Sequence, residues 1–177
     1  AKKMVIIPQT KVGEDTKYIK TKYPKTWDYL CSYMKNFETR KSSIYKNKPP
    51  FSIFSIGAYS FQPIKIAISG LYKRLSFQLL LPQDDKCVMV DDTCNFISCN
   101  MESEAEIIYS LLMSRESIEY FNSIIFWDSK RPITTDVLNS LDLQKIAARH
   151  YANLHYHILS DYNESVLKPV SELALFA

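Results

Sequence analysis

The sequence predicts an α/β chain of the α+β kind: a mixed, mainly antiparallel central sheet with helices packed on one of its sides. Three observations carry that expectation. Short apolar runs of strand length crowd residues 51–98, turn residues such as Gly57, Gly70 and Asp84-Asp85 separate them, and apolar residues at helical spacing dominate after residue 100. Strands massed centrally and helices massed late suit a sheet covered by helices rather than an alternating parallel fold.

Taken in order, Met4-Val5-Ile6-Ile7 reads as a short strand, followed by a polar loop through Gly13. Pro24 sits at the start of a helix predicted to reach about Thr39, with Trp27, Leu30, Cys31, Met34 and Phe37 recurring on one stripe. Pro49-Pro50 ends a basic loop. Strands are predicted at Phe51–Ile56, Ile64–Ser69, Ser76–Leu81, Cys87–Val90 and Asn95–Ser98. Ser103-Glu104-Ala105-Glu106 has the pattern of a capping box ahead of Ile107, Ile108, Leu111 and Leu112. A second helix is expected over Arg115–Asn122, a buried strand over Ser123–Trp127, and a short helix from Pro132 carrying Val137, Leu138 and Leu141. A last helix is expected over Leu143–Leu159.

The chain has 177 residues, 46% of them hydrophobic, and only three glycines. That is one domain's length with ample material for a core, and it is expected to divide as 1–146 and a C-terminal helix and tail, 147–177. No run approaches the roughly 18 to 20 apolar residues of a membrane span, and Lys2-Lys3 precede only four apolar residues before Pro8, too few for a secretory signal. Cys31, Cys87, Cys94 and Cys99 form no Cys-x-x-Cys pair, which reads as reduced core thiols and a cytoplasmic location. The chain opens at Ala1 without an initiator Met, as a piece of a longer protein would.

Charge is divided unevenly. Residues 1–86 hold 16 Lys+Arg against 6 Asp+Glu, a balance of +10, and residues 87–177 hold 6 against 13, a balance of −7, which sum to the net +3. The basic half interleaves cations with aromatics and hydroxyls, as in Arg40-Lys41-Ser42-Ser43-Ile44-Tyr45-Lys46-Asn47-Lys48 and then Tyr59, Lys65, Ser69, Tyr72, Lys73 and Arg74. Phosphate contacts draw on this set. The stretch is loop-rich, unlike the single amphipathic face of a membrane-surface helix.

Catalytic patterns are missing. Three scattered glycines cannot build a phosphate-cradling loop, and no Glu-x-Lys follows a carboxylate as a metal-dependent nuclease requires. Asp91-Asp92 reads as a turn rather than a metal pair. His150, His155 and His157 stand 5, 2 and 7 apart, not at the four-residue spacing a helical zinc site prefers. No catalytic or metal-binding residue is therefore assigned.

Several ordered blocks are nevertheless specific. They are Arg40–Tyr45, Pro50–Phe61, Lys65–Lys73, Val90–Phe96 and Phe126–Thr134. Together, over residues 8–146, they resemble the C-terminal region of bacterial adenine-N6 DNA methyltransferases of type II restriction–modification systems, the region that serves as the target recognition domain. That resemblance implies a target-recognition-domain-like fold, duplex DNA and an upstream catalytic domain as partners, and S-adenosylmethionine as cofactor of the parent rather than of this chain. The family's Asn-Pro-Pro-aromatic signature is interrupted here, since Lys48 stands between Asn47 and Pro49-Pro50-Phe51, so the catalytic role is not carried over. Lys41, Lys46, Lys48, Lys65, Lys73 and Lys130 are the expected phosphate contacts. Arg40, Tyr45, Ser69, Tyr72 and Arg131 are the expected base readers, with Ser42 and Ser43 beside them. Two other readings stay open: a docking domain of a restriction–modification complex, and a restriction endonuclease domain.

Overall fold

The computed structural model describes residues 3–154. The chain groups into two compact units divided between Phe61 and Gln62.

The first unit holds little regular structure. Helices α1 (Tyr18–Lys22), α2 (Pro24–Ser32) and α3 (Met34–Glu38) are followed by single 3₁₀ turns at Ser43–Tyr45 and Ala58–Phe61. The one helix expected from Pro24 is broken at Tyr33, whose φ of −107° and ψ of 13° end α2 before α3 begins. Ile19, Leu30 and Phe51 form the core, with Trp27, Cys31, Met34 and Phe37 packed against it. The rings of Trp27 and Phe37 meet Phe51 edge-on at 5.4 and 5.1 Å.

Two expected strands are absent from this unit. Met4, Val5 and Ile6 are exposed and carry no ladder. Pro8, which has no N–H to donate, follows at once. Phe51–Ile56 has strand-like composition, but Phe51 and Ser55 take φ of 60° and 53°, left-handed values that an extended strand does not admit. Side chains satisfy the backbone instead. Gln9, fully buried, donates to the Glu14 carbonyl at 2.6 Å and accepts from the Ile53 amide at 3.0 Å. Thr16 donates to the Pro50 carbonyl at 2.6 Å.

The second unit contains the sheet. Strands β1 (Ile64–Ser69), β2 (Gln78–Leu80) and β3 (Cys94–Cys99) run in the order β2-β1-β3, every pairing antiparallel. Ile66 pairs with Leu79 on one side and Ile97 on the other, which puts Ile64, Ile66, Ile68, Ile97 and Cys99 on one face. Helices α4 (Glu102–Leu112), α5 (Arg115–Ile124), α6 (Thr135–Asn139) and α7 (Leu143–Leu154) supply Ile108, Leu112, Phe121, Leu138 and Ile146 to the core built on that face. The α+β architecture is the expected one. Cys87–Val90 forms no strand.

Helix boundaries differ from the sequence pattern for local reasons. Helix α4 starts one residue before Ser103, with Met101 at the N-cap and no side-chain cap, so the capping box does not form. Its Glu102 and Glu104 lie in the first turn, where the helix dipole favours them. Helix α5 carries the genuine cap, since the Ser114 hydroxyl accepts from the Ser117 amide at 3.3 Å. This helix runs to Ile124, replacing the expected strand at Ser123–Trp127: the Ile125 amide still bonds back to the Phe121 carbonyl at 2.9 Å. The last helix is described to Leu154, and its expected continuation, with His155 and His157, lies outside the described residues. Ser114→Ala is expected to cost about 1 kcal/mol in urea unfolding, whereas Ser103→Ala changes stability little.

Candidate nucleic-acid interface

In the first unit, residues 40–48 leave α3 as a loop whose shape is set by Arg40. Its Nε donates to the Phe37 carbonyl at 3.1 Å and a terminal nitrogen donates to the Ser52 carbonyl at 2.6 Å. The guanidinium lies 3.7 Å from the centroid of the Tyr45 ring, a stacked cation–π contact. Arg40 and Tyr45, expected as base readers, thus hold each other and the loop base. Ser42 accepts from the Ile44 amide and caps the 3₁₀ turn. Asn47 adopts φ of 57°, a conformation Asn tolerates better than most residues. Lys41, Ser43, Lys46 and Lys48 are left exposed on the outside of this loop. Beside them a shallow hollow is lined by Val12, Gly13, Ile44, Tyr45, Lys48 and Phe54, among others.

In the second unit, three loops meet at the end of the sheet where β1 finishes and β3 begins. The Gly70 amide donates to the Thr93 carbonyl at 2.8 Å, and Asn95 donates to the Ile133 carbonyl at 3.2 Å. Lys73 Nζ donates to the carbonyls of Trp127 and, at 2.5 Å, Ser129, joining the 70–74 turn to the 126–131 loop. Arg131 reaches the Asp92 carboxylate at 3.7 Å and its carbonyl at 3.4 Å. Ser69 accepts from the Leu71 amide at 3.3 Å and shapes the turn. Asp91 accepts from the Thr93 amide at 2.9 Å and from its hydroxyl, and these bonds hold its carboxyl below the usual range. The Asp91-Asp92 turn reading therefore describes what the first carboxylate does. Tyr72, Lys73, Arg74, Lys130 and Arg131 remain exposed around this end.

One expected phosphate contact is corrected. Lys65 lies within β1 with 1% of its surface exposed, its ammonium donating to the Gln62 carbonyl at 2.8 Å and lying 5.8 Å from the Phe96 ring. Burial pushes its pKa down. Alternation places it opposite the isoleucine face of β1, and that second face is buried as well, so the side chain does not reach solvent. Charge alone could not reveal this, because a Lys flanked by Ile64 and Ile66 in a strand carries the same charge wherever it points. Arg74, by contrast, was passed over as a site residue although it adjoins Lys73; its place in the basic run was the available signal.

Two of the described cysteines are shifted away from reactivity. Burial pushes the Cys99 thiol up to about 12 and raises Cys94, which makes both poor nucleophiles at neutral pH. Among the described residues, no three His, Cys, Asp or Glu side chains converge as a metal site, and no helix is long and apolar enough to cross a membrane.

Two substitutions test these placements. Lys65→Met is expected to unfold no more easily than the parent at pH 7. Because the folded pKa lies below the ordinary lysine value of 10.5, wild type carries the full ionisation penalty below the folded pKa and loses it as pH rises toward 10.5. Urea unfolding of both proteins across that range should show any advantage of the variant shrinking. Gly70→Ala is expected to destabilise by about 1–3 kcal/mol, since the added Cβ would stand 2.9 Å from the Ile133 carbonyl oxygen and 3.3 Å from that of Thr93.

Comparison with known proteins adds an independent line. No family model and no solved structure matches the chain. Over 143 residues, 81% of its length, it is 47% identical to the type II methyltransferase M.NspV of a Nostoc species, and it spans 30% of that protein. The chain is therefore similar to a part of a type II methyltransferase and corresponds to less than a third of that relative's length.

Proposed function

We propose that this chain is the DNA-recognition part of a type II restriction–modification methyltransferase that modifies adenine at N6. In this reading, residues 1–146 grip duplex DNA, and S-adenosylmethionine and the transfer chemistry belong to a catalytic domain upstream in the parent protein. The observation that carries the reading is the pinned basic loop. Arg40 ties residues 40–48 down through two carbonyls and the Tyr45 ring, so that Lys41, Lys46 and Lys48 stand exposed on a backbone already held before binding. That loop belongs to a chain with 47% identity to a type II methyltransferase.

The chemistry follows from what adenine N6 requires. The amino group is inaccessible inside a duplex, so the nucleotide must be extruded at a cost of a few kcal/mol of unstacking. A recognition part offsets that cost by holding the phosphates on either side. Lys41, Ser43, Lys46, Lys48 and Lys130 take the phosphate role, and Lys73 shares it with its two loop carbonyls. Tyr72, Arg74 and Arg131 are exposed and able to reach base edges, where an arginine can donate two hydrogen bonds to guanine. Arg40, Tyr45, Ser42 and Ser69 position the loops rather than touch the bases.

Salt tests the proposal. Each lysine that neutralises a phosphate adds about 0.9 to the slope of log affinity against log salt. Fluorescence anisotropy with a duplex oligonucleotide should show affinity falling steeply between 50 and 200 mM salt. The triple variant Lys41→Ala, Lys46→Ala, Lys48→Ala should weaken binding to all duplexes alike and flatten the slope by about 2 to 3. A salt-independent wild-type affinity, or no duplex binding, would remove the DNA reading in favour of a protein-docking domain.

A further inference from the structure

Phe126 is 70% exposed, although its neighbours in the chain are not: Ile125 is buried and Trp127 packs against the core. The two anchors force the ring between them outward. The backbone that carries it is held at several points. The Ile125 amide bonds the Phe121 carbonyl at 2.9 Å, the Ser129 amide bonds the Phe126 carbonyl at 3.1 Å, and Lys73 Nζ bonds the carbonyls of Trp127 and Ser129. A large apolar ring is thus presented to solvent on a fixed turn, at a cost in hydration of about 25 cal/mol per Å² left uncovered. Cations lie close to it along the chain and through the loop contact. Lys130 and Arg131 are within five residues, and Lys73 of the 70–74 turn, with Arg74 beside it, bonds the carbonyls of Trp127 and Ser129. Against them the 126–131 loop sets one exposed carboxylate, Asp128. Nothing in composition marks this, because the run Ile124-Ile125-Phe126-Trp127 reads as a buried strand.

An exposed apolar ring with cations close to it matches one kind of partner, a polyanion that also offers apolar surface. A nucleic-acid duplex has both, with phosphates outside and base faces within. We infer that Phe126 is a wedge that enters the base stack of duplex DNA, while Lys73, Lys130 and Arg131 hold the flanking phosphates. This rests on the DNA reading proposed above and adds to it a base-contacting residue outside the expected set. A rigid wedge partly unstacks one base step and kinks the duplex there, at a cost of a few kcal/mol. Because the loop is held in place before binding, little side-chain or backbone freedom is lost when the ring enters.

A wedge has a signature that does not depend on knowing the target sequence. Where a duplex already contains a gap in the stack, the unstacking cost is absent. The full chain should therefore bind a duplex carrying one abasic site at least about fivefold more tightly than the intact duplex of the same sequence. Phe126→Ala should lose that preference while keeping the wild-type salt slope, and Phe126→Trp should retain it. The position is exposed, so the variants should keep the wild-type circular dichroism and unfolding midpoint. A wild-type chain without the abasic preference, or a Phe126→Ala chain that keeps it, overturns the wedge, and the DNA reading stands as long as the steep salt dependence does. Absence of any salt-dependent duplex affinity overturns both.

Discussion

Gly70 is where the loop end of the second unit is decided. Its amide meets the Thr93 carbonyl at 2.8 Å, and a side chain there would press against the carbonyls of both Thr93 and Ile133. Three chain segments distant in sequence can approach one another only because this position has no Cβ. Everything exposed at that end inherits its placement from this approach. Lys73 can span to the 126–131 loop, Asn95 can bond the Ile133 carbonyl, and Arg131 can reach Asp92. Three charged side chains are thereby drawn into structure, Lys73 with two carbonyls and Arg131 with Asp92. Exposed ion pairs of this kind contribute little stability, about 0 to 1 kcal/mol. The Arg131–Asp92 pair is long at 3.7 Å and solvent-exposed, so under the proposed DNA reading a phosphate can compete for the arginine.

The first unit solves a different problem. It has short helices and no ladder, yet its buried backbone must still be satisfied. Gln9, Thr16 and Arg40 do this from the side, each bonding backbone groups far along the chain. The arrangement fixes a segment, Pro49–Ile56, that no sheet could hold, because Phe51 is both fully buried and in a left-handed conformation. A bulky residue at positive φ is costly, of order 1–3 kcal/mol, and persists only where packing over-determines it. Here Trp27 and Phe37, each meeting its ring edge-on, supply that packing. The consequence for function is indirect but physical: Arg40 bonds the carbonyl of the residue after Phe51, so the basic loop is tied to the unit's core.

What the sequence made legible follows from range. Strand β1 was readable to the residue, and α5, α6 and β3 to within one to three, because the apolar run Ile64–Ser69, the Gly70 turn and the Pro132–Thr135 helix start are local signals. Failures came where the deciding partner is distant. Phe51–Ile56 looks like a strand until Gln9 takes its amide and two residues turn left-handed. Ile124–Trp127 looks buried throughout until α5 consumes its first residue and leaves only alternate side chains inward. The candidate site was legible as a charge pattern and illegible as a surface. Lys65 and Lys46 are identical as letters. One faces a phenylalanine ring inside the unit and the other faces water, a difference set by strand register and loop geometry.

The acidic balance of the second half would seem to argue against a polyanion partner there, and the register of the sheet shows why it does not. Strand β3 runs from Cys94, paired with Ser69, to Cys99, paired with Ile64. Helix α4 begins three residues after Cys99, so Glu102, Glu104 and Glu106 lie toward the Ile64 end of the sheet. The cationic loops lie at the Ser69 end. Five strand steps of about 3.3 Å separate the two ends by roughly 17 Å, about two Debye lengths at physiological salt. Glu102 and Glu104 serve the dipole of α4, and all three carboxylates are largely screened from the loops. Of the acids near the loop end, Asp91 is committed to the Thr93 turn and Asp92 to Arg131, while Asp128 beside Lys130 and Asp136 in the first turn of α6 stay exposed. A net charge summed over a unit is thus a poor guide to its surface; the sheet's length sets the glutamates of α4 apart from the cationic loops.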